Sequence, residues 1–335
     1  MNAPKSVPAP RVIVPAEHVA TLAPRIAKVL PGAQVVGIDA AGVLAGEADG
    51  AVAMLRYFPY DRYAKVFGGA RIAELVTTLP SLRLLQLHSA GVDGLITPAF
   101  VASACTLCNA APLHSGPMAE MVLALMLAAA KRIPFHVRHQ STHTWQRTAK
   151  LEMAGSTVGI VGYGRIGARV GELCSAFGMG VIGMRQSAMP VPPPGVARVV
   201  GPEGLPALLA ESDWIVLTLP LTPASRHLIG AAELDAMKAT ACLVNVARGE
   251  VVDQVAVTQR LVDGRLAYAC LDTFETEPLP DADPLWDLPN VLVTPHNSAS
   301  SQHMERRVLD LFIDNLGHLA RGEPFVNVVD KHRPQ

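Results

Sequence analysis

Four residues that follow short apolar runs carry side chains able to move charge: Arg248 after "CLVNVA", Asp272 in "ACLDTF", Glu277 just beyond it, and His296 after "VLVTP". In an open parallel α/β sheet, ligands bind beyond the carboxyl ends of the strands, so these side chains would converge on one edge. Each type has a task in hydride transfer between a nicotinamide and a 2-oxo acid. Hydride reaching the carbonyl carbon leaves charge on oxygen, and a histidine, titrating at about pH 6.5, can supply the proton. A carboxylate on its other nitrogen fixes the ring and favours the imidazolium, which suits Glu277. Glu275 competes by proximity. An arginine can fork onto a substrate carboxylate and polarise the carbonyl, which suits Arg248.

The second constellation is "TVGIVGYGRIGARVG", where GxGxxG falls on Gly162, Gly164 and Gly167 after an apolar strand and at the start of an amphipathic helix. In that context the first glycine makes a tight turn, the second lets backbone approach a pyrophosphate, and the third lets helix pack on strand. The helix N-terminus supplies amide donors to the anion. Arg165, inside the loop, can face the pyrophosphate or solvent. Eighteen residues after Gly167, where NAD-binding chains place an acid on the ribose, stands Arg185, followed by Gln186 and Ser187. An arginine and a hydroxyl suit the extra phosphate of NADP, so NADP is the preferred cofactor and NAD an alternative.

The elements that must position these residues alternate along the chain. "RVIVPA", "AQVVGID", "GAVAMLRY", "LRLLQLHSA" and "CTLCNAA" read as strands separated by helical segments, without a phosphate fingerprint. "LRYFPYDRY" could bring aromatics to a substrate mouth or pack as loop. A long helix is expected to start at Ser115 or Gly116, with Pro117 in its first turn and Lys131 and Arg132 near its end. A polar loop, "HVRHQSTHTWQRTAKLEMAGS", then leads to strands "TVGIVG", "GVIGMR", "WIVLTLP", "CLVNVAR", "LAYACLDTF" and "VLVTPH". A last helix is expected from about Ser301 to Arg321, returning toward the first series.

The 335 residues favour two domains, and a net charge of −1 gives no argument for nucleic acid or membrane partners. The N-terminal stretch lacks a signal-peptide h-region, and "MVLALMLAAA" is half a membrane span, better read as a buried helix. Five cysteines, with Cys105 and Cys108 read as core residues, point to a reducing compartment and a cytoplasmic chain. No HExxH or clustered Cys/His spacing suggests a metal.

These motifs, with "LHSAGVDGL", "LPLTPASRHLIG", "LVNVARGEVVD" and "LDTFETEPLPDADPLWDLPNVLVTPH", resemble those of the D-isomer-specific 2-hydroxyacid dehydrogenases over nearly the whole chain. The resemblance implies an α/β fold of two Rossmann-like or flavodoxin-like domains, each a parallel sheet flanked by helices. A cofactor domain, 113–301, would be inserted in a substrate domain, 1–112 and 302–335. It implies a catalytic set of Arg248, Glu277 and His296, and substrate carboxylate binding by the backbone at Ala90 and Gly91. Asp272 would face the nicotinamide carboxamide. Leu219, Pro220 and Thr222 would lie beside the adenosine, with Ile166, Val246 and Ala247 also against the cofactor.

The implied activity is reduction of a small 2-oxo acid, with glyoxylate or hydroxypyruvate as leading candidates, by a homodimer joined through the cofactor domain. Formate or phosphite dehydrogenases and a nucleotide-sensing corepressor share the scaffold. Glu250 and "NSASS" after His296 stand where the family more often has glycine.

Overall fold

The computed structural model describes residues 9–57, 67–92 and 94–332, so Phe58, Tyr60 and Tyr63 of the aromatic segment lie outside the described residues. The chain divides into two compact units, one of residues 1–113 with 302–335 and one of 114–301.

The first unit holds β1 (Arg11–Pro15), α1 (Val19–Val29), β2 (Gln34–Ile38), β3 (Ala51–Arg56), α2 (Gly69–Thr78), β4 (Leu84–Leu87), α3 (Pro98–Ala102) and β5 (Thr106–Cys108). Its strands form an all-parallel sheet in the order β2-β1-β3-β4-β5, the flavodoxin-like arrangement. Both faces are covered, which is why the strands are near-continuous apolar runs. Alternation divides them: Ile13, Met54 and Leu85 enter one core with Ile72, Leu75 and Phe100, while Val12, Val14, Ala53 and Leu55 enter the other with Leu22 and Ile26.

The second unit begins within α4 (Ala111–Ala130), continues through α5 (Ile133–Ser141), and then alternates strand and helix. These elements are β6 (Thr157–Val161), α6 (Arg165–Ala176), β7 (Gly180–Met184), β8 (Arg198–Val200), α7 (Leu205–Glu211), β9 (Trp214–Leu217), α8 (Ala231–Ala236), β10 (Cys242–Asn245), α9 (Gln254–Val262), β11 (Tyr268–Leu271) and β12 (Val291–Val293). The sheet, again all parallel, runs β12-β11-β10-β9-β6-β7-β8. Its order reverses between β6 and β9, the switch point at which such sheets bind nucleotides.

Three local expectations need correction. α4 starts at Ala111 rather than at Ser115 or Gly116, because Asn109 Oδ1 accepts the Ala111 N–H at 3.3 Å; Pro117 therefore sits inside the helix. The segment expected to be polar loop is helical through Ser141: Arg132 takes a left-handed conformation, breaking the helix, and Pro134 opens the next one. A strand unforeseen in the proline-rich region, β8, pairs with β7 from Ile182 to Met184.

α4 is mostly apolar and has no continuous polar face, although Glu120 is exposed. By length and composition it could cross a membrane, but half of it is buried, with Met118, Val122 and Met126 packed in the core that includes Val158, Ile160 and Val216. The last helix, α10 (Met304–Arg321), lays Met304, Val308, Phe312 and Leu316 against the first unit's α1 core and ends at left-handed Gly322. All five cysteines are free and buried, and burial pushes the Cys105, Cys108 and Cys174 thiols up to about 12.

Candidate active site

The glycine loop joins β6 to α6, and its glycines serve different steric needs. Gly162 has φ of +104°, and a Cβ there would lie 2.6 Å from Leu219 N and 2.7 Å from Thr218 C. A Cβ on Gly167 would lie 2.5 Å from Gly162 O, so only glycine lets the helix sit so close. A Cβ on Gly164, the N-cap of α6, would meet only Gly162 O, at 4.0 Å. Thr218 Oγ1 donates to Gly162 O at 2.9 Å, tying the loop to the end of β9. The open face at Gly164 and the first-turn amides of α6 fit a pyrophosphate. Arg165 is exposed and Ile166 half-buried at the same end.

Beyond β7, Arg185 donates its N–H to Val200 O, and Arg185, Gln186 and Ser187 are all exposed, with no acid among them. Leu219 stands against Gly162, and Ser225 Oγ closes the next turn by donating to Pro220 O at 2.8 Å and accepting from Thr222 N at 2.7 Å. Val246 and Ala247 are buried behind the end of β10.

The acid–base pair is explicit. His296 Nδ1 lies 2.7 Å from Glu277 Oε2, and Phe274 N–H donates to Glu277 Oε1 at 3.0 Å. Burial works to raise the Glu277 carboxyl, but the His296 hydrogen bond, the Phe274 amide and the charges of His296 and Arg248 outweigh it, holding it below the ordinary carboxyl range. With Nδ1 engaged, Nε2 is the ring atom left to exchange a proton. Arg248 follows the end of β10, where buried Asn245 fixes its backbone: Asn245 Nδ2 donates to Arg248 O at 2.9 Å and Oδ1 accepts from Ala247 N at 3.0 Å. The Arg248 Nη1 also donates to Ala247 O at 2.7 Å.

The model for the "D-isomer specific 2-hydroxyacid dehydrogenase, NAD binding domain" matches residues 123–298. A glyoxylate reductase of Korarchaeum cryptofilum is 34% identical over 270 residues, 77% of this chain and 79% of that protein. The chain belongs to the D-isomer specific 2-hydroxyacid dehydrogenase family. A D-3-phosphoglycerate dehydrogenase of Methanocaldococcus jannaschii is also 34% identical, over 77% of this chain, but this chain spans about half of that longer protein, 49%. Among solved structures, a D-isomer specific 2-hydroxyacid dehydrogenase from Xanthobacter autotrophicus Py2, in complex with NADPH and MES, is 31% identical with a TM-score of 0.79, covering 97% of this chain and 99% of the other.

In this member of the 2-hydroxyacid dehydrogenase family, Asp272 is fully buried and already occupied by protein donors. Oδ1 accepts from Thr294 Oγ1 at 2.6 Å and Asn297 N at 3.1 Å, and Oδ2 accepts from Ser298 N at 3.0 Å. It thus brackets His296, whose φ is +47°. In the first unit, the carbonyls of Ala90 and Gly91 are taken by Asn109 Nδ2 and Ser89 Oγ, while their N–H groups donate none of the hydrogen bonds among the described residues.

Of the two competing acids, Glu277 meets His296 and Glu275 meets His227. Asn245, Thr294 and Ser298 went unforeseen; the signal for Asn245 was a polar residue inside the otherwise apolar "CLVNVA".

Proposed function

We propose that the protein reduces a small 2-oxo acid, with glyoxylate or hydroxypyruvate the leading candidates, to its D-2-hydroxy acid, with NADPH preferred and NADH possible. The observation that carries this is the 2.7 Å His296–Glu277 pair, with Arg248 close enough for its charge to act on Glu277, in the unit that also holds the glycine loop.

The nicotinamide, when bound, supplies the hydride. Glu277 orients the imidazolium of His296, whose Nε2 passes a proton to the carbonyl oxygen as negative charge develops there. Arg248 draws that charge and can fork onto a carboxylate. The Ala90 and Gly91 amides are proposed to bind a carboxylate. The cofactor would lie along Gly162, Gly164, Arg165, Ile166 and Gly167, past Leu219, Pro220 and Thr222, beside Val246 and Ala247, with Asp272 near the carboxamide. Arg185, Gln186 and Ser187 would meet the 2′-phosphate, a reading supported by the NADPH named with the 31% identical structure. On this reading residues 113–301 are the cofactor domain, and 1–112 with 302–335 the substrate domain.

We also propose a homodimer formed through the exposed apolar side chains Ile133, Val137, Trp145 and Leu151, with Trp145 94% exposed, and a cytoplasmic location, which the free buried thiols suit.

The test mixes purified protein with NADPH or NADH and a panel of 2-oxo acids and follows the absorbance of the reduced cofactor. Turnover is expected with NADPH; His296→Ala should lose most of it while still binding cofactor, and Arg185→Asp should shift preference toward NADH. No oxidation with any acid would overturn the proposed activity.

A further inference from the structure

Two acids two residues apart lead to two different histidines, and the second pair has no part in the chemistry proposed above. Glu275 Oε1 accepts from Gln254 N at 3.2 Å and stands 3.0 Å from His227 Nε2. The backbone answers the first of these contacts: Glu275 N–H donates to Gln254 Oε1 at 3.1 Å. Gln254 is the first residue of α9, so the carboxylate also sits at the positive end of that helix. His227 is held in turn, its N–H donating to Glu250 O at 2.7 Å.

A lone half-exposed ion pair would contribute little. This one is part of a clamp on a single peptide unit. On its other side lies Gly249, directly after Arg248, where a Cβ would fall 1.9 Å from Phe274 C and 2.3 Å from Glu275 N. The Phe274–Glu275 peptide is therefore seated on the Arg248–Gly249 turn and tied through Glu275 to α9 and to the β9–α8 loop. Phe274 then donates its own N–H to Glu277 Oε1, whose partner oxygen holds His296.

We propose that Glu275 is a positioning residue, acting through Phe274 to hold Glu277 in its pairing geometry with His296; this rests on those two being the acid–base pair. Without the Glu275 carboxylate, segment 273–277 keeps its seat on Gly249 and the bond from Glu275 N–H to Gln254 Oε1 but loses its contacts with Gln254 N and His227, so Glu277 spends less time aligned.

The experiment compares kcat, reduced-cofactor affinity by fluorescence titration, and thermal stability for Glu275→Ala, Glu275→Gln, Glu277→Ala and the double variant Glu275→Ala/Glu277→Ala. Glu275→Ala should lose about tenfold in kcat, the scale of one lost hydrogen bond, with cofactor affinity unchanged. Glu275→Gln should stay within about threefold of wild type, because its amide oxygen still accepts from the Gln254 N–H. The double variant should be no slower than Glu277→Ala, since the effect passes through Glu277.

Wild-type kcat in Glu275→Ala, or full additivity in the double variant, overturns the positioning role and leaves the acid–base pair standing. Wild-type turnover in Glu277→Ala overturns both. Should Glu275→Ala not accumulate folded, His227→Ala, which removes a partner of the Glu275 carboxylate, carries the same test against Glu277→Ala.

Discussion

Removing the Asp272 carboxylate should loosen the proposed proton donor. The side chain is fully buried and receives three hydrogen bonds, from Thr294 Oγ1, Asn297 N and Ser298 N, which flank His296 on both sides. His296 itself has φ of +47°, a conformation that costs a non-glycine residue about 1–2 kcal/mol and persists only where its neighbours enforce it. Asp272→Ala orphans three donors at about 1–2 kcal/mol each, offset in part because a buried anion is no longer desolvated, for a net loss of about 3 kcal/mol. For a unit of this size that lowers Tm by roughly 6–12 °C. A shift of about 1 Å in the imidazole would cost about a hundredfold in kcat. Thermal denaturation and cofactor oxidation, run on Asp272→Ala and Asp272→Asn, measure both effects, with the asparagine variant intermediate because it keeps one acceptor oxygen. If Asp272→Ala melts within about 2 °C of wild type at near-normal kcat, the bracket around His296 does not hold it.

Gly249→Ala should lose about a hundredfold or more in kcat, measured in the same assay, because its methyl group must displace the peptide that leads to Glu277. The Glu277 carboxyl is held below its ordinary value of 4.5, so the stability it contributes is present above that value and fades as pH falls through its lower folded value. The Tm difference between wild type and Glu277→Gln should accordingly persist at neutral pH and shrink as pH falls below 4.5, as differential scanning calorimetry at descending pH would show. Thiols pushed up to about 12 and buried should react with an aromatic disulfide at about pH 8 only after guanidinium unfolding; rapid native labelling of several cysteines would contradict their burial.

The parts of this site that local chemistry dictates could be seen in the residues alone. Gly162, Gly164 and Gly167 stand at a spacing imposed by a strand-to-helix turn, and Arg248 and His296 stand where parallel strands hand over to loops. What stayed hidden depends on partners distant in sequence. The motif singled out Glu277 over Glu275, but not the partner of Glu275, His227, which arrives after β9 while His296 arrives after β12. β8 is three residues long and exists because β7 is there to pair with it. The start of α4 was set by the side chain of Asn109, upstream of every helix signal that Ser115, Gly116 and Pro117 provide. Asp272 stands in a strand-end pattern that suits a ligand contact, whereas its hydrogen bonds run to the backbone of the His296 loop.

The return of α10 to the α1 core sets an order for synthesis. Val12, Val14, Leu22 and Ile26 share a cluster with Met304, Val308, Phe312 and Leu316. While the ribosome is still translating the intervening segment, that face of the early strands has α1 but lacks the cover of α10. The unit of residues 114–301 can close its own core first, because its contributors are contiguous. The region made first is therefore completed last, and chaperone engagement of stalled nascent chains should concentrate on the apolar side of α1 until residues 304–321 emerge.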